Sequence, residues 1–155
     1  MSITRNTVIP AVFLLLRKGD EVLLQRRCNT GFQDGNYTLI SGHVDRGESP
    51  KQAMCREAKE EAGIEVRKQD LHFLQVIYRR GFANAKNEFV QDQTERVDFF
   101  FSTSVWKGTP TITEPDKCDD LSWFPLKQLP KNIFPVVQTF LENMSQNLLY
   151  KETGY

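Results

Sequence analysis

Gly42-His43-Val44-Asp45-Arg46-Gly47-Glu48-Ser49-Pro50-Lys51-Gln52-Ala53-Met54-Cys55-Arg56-Glu57-Ala58-Lys59-Glu60-Glu61-Ala62-Gly63-Ile64 is the stretch on which the reading of this chain turns. Its second half reads as a short helix with defined ends: Ser49 can cap, Pro50 suits the first helical position, Gln52 completes a capping box, and Gly63 can close the C-terminus. Glu57, Glu60 and Glu61 stand at i, i+3 and i+4, so their carboxylates share one face within about one turn, toward the negative end of the helix dipole. Like charges at that spacing cost about 0.2–0.5 kcal/mol per pair, so helix stability gives no reason for the arrangement. A hard divalent cation, Mg²⁺ or Mn²⁺, held by carboxylate, phosphate and water oxygens would supply one. The alternative is a solvated acidic face relieved by Arg56 at i, i+4 to Glu60 and by Lys59. Met54, Ala58 and Ala62 form a narrow apolar stripe on the other side, suited to lying against a sheet.

Upstream, residues 7–17 are rich in Val, Ile, Phe and Leu, Lys18-Gly19-Asp20 gives a turn, and residues 21–25 resume the apolar run, which is a hairpin signal. Arg26 and Arg27 follow at the strand end. Residues 28–36 are polar, with Gly31, Asp34 and Gly35, and read as a loop. Phe32 and Tyr37 in and after it are available to stack on a nucleobase or simply to pack. Residues 37–40 look like a short strand that feeds Gly42, and residues 42–48 a loop in which small residues let backbone approach a ligand.

Downstream, residues 71–78 read as a strand, and residues 79–94 as a polar hairpin connection or flap in which Arg79, Arg80 and Lys86 could meet phosphates, with solvated loop charge the simpler reading. Residues 95–106 alternate, with Val97, Phe99, Phe101 and Val105 on one face, as a central strand does. Residues 107–120 form an acidic loop, residues 121–124 the last strand, and residues 134–149 a closing helix with apolar positions at Val137, Phe140, Leu141, Met144 and Leu148. Asn132 and Phe134, at the start of that helix, are candidates for reading a base edge. Strands alternating with these two helices imply an α/β fold, an α/β/α sandwich around a mixed sheet.

The 155 residues fit a single domain, 1–155, and 39% hydrophobic with 26% charged residues is ordinary for a globular protein. With formal net charge of zero there is no general basic field to attract nucleic acid or an anionic membrane. Cys28, Cys55 and Cys118 are odd in number and lack CxxC spacing, which suits reduced thiols and a cytoplasmic setting. No targeting or membrane-spanning segment is read, and the sequence does not speak to oligomeric state.

Residues 42–64 match without departure the pattern Gly-x5-Glu-x7-Arg-Glu-apolar-x-Glu-Glu-x-Gly-apolar, and in this the chain resembles the Nudix hydrolase family. The flank from Asn29 to Tyr37 is similar to the MutT-like branch. One difference precedes the box, where many members have Pro-Gly or Pro-Ala-Gly and this chain has Ile40-Ser41-Gly42. The resemblance implies a Nudix α/β/α sandwich. It also implies a metal shell drawn from the Gly42 carbonyl, Glu57, Glu60 and Glu61, with Glu114 as a further candidate. Glu57 and Glu61 would serve mainly as ligands and Glu60 as ligand or proton acceptor, while Arg56 keeps the glutamates in register and pairs with Glu48. Gly63 ends the helix, and Arg26, Arg27, Phe32, Tyr37, Asn132 and Phe134 are the substrate contacts it suggests.

The reaction implied is Mg²⁺-dependent hydrolysis, with Mn²⁺ a substitute, of a nucleoside diphosphate linked to X. X is then most simply phosphate, which gives a nucleoside monophosphate and pyrophosphate. The SQPWPFPxS array that family members carry for NADH is absent downstream of the box, as is the proline about 16 residues beyond it that goes with ADP-ribose. Hydrolysis of a nucleotide sugar or dinucleoside polyphosphate, or a non-catalytic nucleotide sensor, are the other readings. The partner expected is a small-molecule nucleotide, with no nucleic acid and no membrane.

Overall fold

A computed structural model describes residues 5–83 and 89–155. Strands β1 (Val8–Lys18) and β2 (Glu21–Arg27) make the expected hairpin around Gly19, whose φ of 60° a two-residue turn requires. They pair only at its closed end, Arg17 with Val22 and Lys18 with Glu21. Beyond that point β2 leaves to join β3 (Tyr37–Thr38) and β7 (Cys118–Pro125). The vacated edge of β1 is taken by β4 (Ile40–His43), and its other edge by β6 (Phe89–Thr103) in parallel. Then come β5 (His72–Ala83), antiparallel to β6, and β8 (Tyr150–Thr153), parallel to β5. The sheet is mixed, and it splays where β1 and β2 part.

Alternation along β1 divides the core. Val12, Leu14 and Leu16 face helix α1 (Pro50–Ala62) with Ile40, Ala53, Met54, Ala58 and Ala62. Ala11, Phe13 and Leu15 face helix α2 (Pro135–Ser145), where Phe100 stacks between Phe13 at 4.7 Å and Phe140 at 4.3 Å. The α/β/α sandwich expected from the sequence is therefore present. No helix among the described residues is long and apolar enough to cross a membrane.

Several boundaries differ from the sequence reading. Gly42 is a strand residue opposite Val12 rather than part of a loop. Residues 79–83 and 89–94 extend β5 and β6, so Arg79 and Arg80 are in a strand, not a flap, while Lys86 lies outside the described residues. The closing helix stops at Ser145, because Asn147 takes a left-handed φ of 56° and the chain then turns to lay β8 along β5, with the Val76 N–H donating to the Leu149 carbonyl at 2.9 Å.

Candidate active site

Helix α1 is tied down at both ends. The Ser49 side chain accepts from the Gln52 N–H while the Gln52 side chain accepts from the Ser49 N–H, and Gly63 closes the helix at φ 66°. The Thr111 N–H bonds the Ala62 carbonyl at 3.0 Å and the Thr113 hydroxyl bonds the Glu60 carbonyl, so the loop before β7 satisfies carbonyls that the helix end leaves open. Glu114 lies one residue beyond Thr113 and faces the same small cavity as Glu61.

The three glutamates are not equivalent. Glu57 lies against β4, and a Cβ added at Gly42 would stand 2.0 Å from its carboxyl carbon. A side chain at position 42 would therefore displace the Glu57 carboxylate, which lies beside the Gly42 backbone. The Glu57 side chain is 13% exposed and the Glu60 side chain 56%, on the outer edge of the same face. Glu61 turns toward the sheet, where its Oε2 accepts from the Ser41 N–H at 2.9 Å and from Gln25 Nε2 at 2.6 Å. Oε1 has no such partner among the described residues. Burial pushes the Glu61 carboxyl up to about 7 against the pull of those two donors, and the charges of Glu57 and Glu114 push the same way. Burial likewise raises Glu57, although Arg56 opposes it.

Arg56 is the hub. Its guanidinium bonds Glu48 twice, at 2.7 and 3.2 Å, the His43 carbonyl at 2.9 Å, Glu57 at 2.8 Å and Glu60 at 3.1 Å, with Asp45 at 3.6 Å. These contacts hold Glu48 below the usual carboxylate range and raise Arg56 further. One guanidinium thus serves Asp45, Glu48, Glu57 and Glu60 while Glu61 is buried next to them, which leaves a clear excess of negative charge. Among the described residues, no three His, Cys, Asp or Glu side chains close on one point as a cation cage. The donor set that fits a hard cation is smaller: the Glu57 carboxylate and the adjacent Gly42 backbone, with the open Glu61 oxygen beside them and the remaining positions left to water and substrate.

A cavity of about 340 Å³ opens beside this set, bounded by Ser41, Gly42, His43 and Glu61 in its middle. At one end Phe32 and Phe134 meet edge to face at 5.8 Å, and the Arg27 guanidinium lies 5.9 Å from each ring. At the other are Arg79 and Arg96. The structure thus gathers Arg27, Phe32, Gly42, Glu61 and Phe134 of the expected contacts around one space. Arg26 lines only the smaller cavity beside Glu114, held by Asp119 at 2.7 Å. Tyr37 lines neither: its ring packs on Phe124 at 5.0 Å and its hydroxyl donates to Asp120 at 2.5 Å, so packing accounts for it. Asn132 lines neither as well; its amide bonds the Gly35 carbonyl at 2.6 Å and its own carbonyl takes the Tyr37 N–H, pinning the loop. Gln25 and Arg96 were not expected at the site, and for Arg79 the sequence favours a solvated loop charge over a phosphate contact. Gln25 left a signal, a polar residue ending an apolar strand, which a buried partner must explain.

A family model for the NUDIX domain matches residues 7–144. The chain belongs to the Nudix family. Among curated relatives, it is 29% identical to the NAD-capped RNA hydrolase NudC of Stutzerimonas stutzeri over 94% of this chain and 46% of that protein. It is 30% identical to NudC of Pseudomonas aeruginosa over 94% of this chain and 45% of that one. This Nudix chain spans less than half the length of those relatives. In fold it matches a MutT NUDIX hydrolase from Burkholderia pseudomallei with a TM-score of 0.74 and 26% identity, covering 88% of this chain and 98% of the other. It also matches a MutT protein from Methanosarcina mazei at 0.71 and 19%, covering 93% and 97%, a likeness of fold.

Proposed function

We propose that this Nudix protein hydrolyses a phosphoric anhydride bond in a nucleoside diphosphate linked to X, and that its simplest substrate is a nucleoside triphosphate, split to monophosphate and pyrophosphate. The observation that carries the reading is the contact of Glu57 with the Gly42 backbone beside a buried Glu61 whose second oxygen is open. That cluster of acceptors, in excess over Arg56, suits Mg²⁺, with Mn²⁺ as a substitute. The bound ion supplies charge withdrawal from the phosphates and a more acidic water. Glu57 and the Gly42 carbonyl would hold it, with Glu60 flanking the shell and Glu114 facing Glu61 from the neighbouring loop.

Of the box glutamates only Glu61 lines the cavity, so we assign the proton of the attacking water to its free oxygen. Arg56 fixes Glu57 and, through Glu48 and the His43 carbonyl, ties helix to loop. The base packs against the Phe32–Phe134 pair, with the Arg27 guanidinium over the rings. Since Cys28, Cys55 and Cys118 are free thiols, we place the protein in the cytoplasm.

The test is pyrophosphate release from a panel of nucleoside triphosphates with and without Mg²⁺, in the wild type and in Glu57→Gln and Glu61→Gln. Turnover that survives both substitutions defeats the assignment. The NudC relatives favour a second reading, in which X is a second nucleoside. NAD belongs in the same panel, where a higher kcat/KM than for every triphosphate would select that reading.

A further inference from the structure

Arg79 and Arg96 stand directly opposite each other on β5 and β6, on the face of the sheet that carries the cavity. Like charges in that register repel each other, and the buried Asp98 carboxylate is attracted by both. Arg79 is also 9% exposed, so its charge is almost wholly removed from water. Its Nε donates to Asp98 Oδ2 at 2.5 Å, and Asp98 is 0% exposed. Among the described residues its two Nη groups have no hydrogen-bond partner, although the side chain lines the cavity. A buried guanidinium anchored through Nε and leaving its NηH₂ edge open is a fork set for an oxyanion. Asp98 is the positioning residue, for it fixes the side chain without consuming that edge.

The sheet order gives this fork its role. Phe32 and Phe134 lie toward β2 and β3, Gly42 lies on β4 beside β1, and Arg79 lies on β5 across β6. A ligand with its base at the aromatic end and its anhydride at Gly42 and Glu61 sends its far group toward Arg79. We propose that this far group is anionic, and that a terminal phosphate oxygen of X seats on the Nη groups of Arg79. The inference rests on the reading of the site given above and narrows it: triphosphates fit, nucleotide sugars, whose X is uncharged, fit less well, and a cationic nicotinamide is opposed by both arginines.

Two measurements test it. The first is kcat and KM for a nucleoside triphosphate and for the matching nucleoside diphosphate glucose, with Mg²⁺. In the wild type the triphosphate has the higher kcat/KM; Arg79→Met is expected to lower the ratio of the two at least tenfold, through KM of the triphosphate rather than kcat. Arg79→Lys keeps the charge beside Asp98 but loses the fork, and is expected to lower the ratio about threefold; it carries the comparison if thermal melts show Arg79→Met unfolded. A ratio that does not move, or a fall confined to guanine nucleotides, which would make Arg79 a reader of the base, overturns the proposal. The second is calorimetric binding of α,β-methylene nucleoside triphosphate and diphosphate in Mg²⁺, independent of turnover. The wild type is expected to prefer the triphosphate about tenfold and Arg79→Met to lose that preference; equal binding by the wild type overturns the assignment of Arg79. Absence of turnover with the preference intact would sink only the catalytic reading.

Discussion

Helices α1 and α2 cover opposite faces of one sheet and each begins with a proline, yet they are stabilised by different means. Helix α1 contributes mostly alanines to its core and is held by its termini: a full capping box, a left-handed glycine and two threonine hydrogen bonds at its end. Helix α2 has no side-chain cap and is held by Val136, Val137 and Phe140 in an aromatic stack. A helix that bears crowded carboxylates gains from strong ends and a close-lying alanine face, because both fix the charges without help from large side chains. A helix that supplies only packing and one aromatic, Phe134, needs neither.

That contrast can be broken in order of expected effect. Glu61→Gln on α1 should lower kcat roughly 10²- to 10⁴-fold while leaving the melting temperature at or above that of the wild type, a pairing that kinetics and thermal denaturation check together. On α2, Phe140→Ala should do the reverse, costing about 3–5 kcal/mol in denaturant titrations with kcat of the folded fraction retained. A loss of turnover there greater than the loss of folded protein would show that the two faces are not separable.

The pH dependence of metal-free protein sharpens the comparison further. The Glu61 carboxyl, raised from 4.5 to about 7 in the folded state, holds its proton where the unfolded chain has released it. Stability should therefore fall as pH rises from about 4.5 to 7, by about 3 kcal/mol, and level off above. Glu61→Gln should flatten that slope in urea titrations with chelator present, and Mg²⁺ should offset it in the wild type. Ser49→Ala, which removes one cap from α1, is the mildest, about 1 kcal/mol by the same titration.

Whatever depended on local chemistry was readable in the sequence. The caps of α1, the three acids on one face, the hairpin at Gly19 and the apolar spacing of α2 all follow from neighbours within a turn or two. What was not readable depends on partners far along the chain. Arg79 looks like a loop residue because its burial is possible only with Asp98 and the β6 ladder beside it, a compensation set by strand register. Strand β8 was hidden in the same way, since Tyr150 to Thr153 has nothing to pair with until β5 is in place. Tyr37 and Asn132 show the converse: polar and aromatic groups near a cleft were read as substrate contacts, and Asp120 and Gly35 take their hydrogen bonds.

The absence of a side chain at position 42 gives the molecule a single-methyl off switch. Gly42→Ala would force the Glu57 carboxylate away from the strand, yet it leaves Phe32, Phe134 and Arg79 as they are. Such a variant would be a trap: a protein that still grasps its natural ligand but releases it uncut, ready to be fished from cell extract and weighed by mass spectrometry.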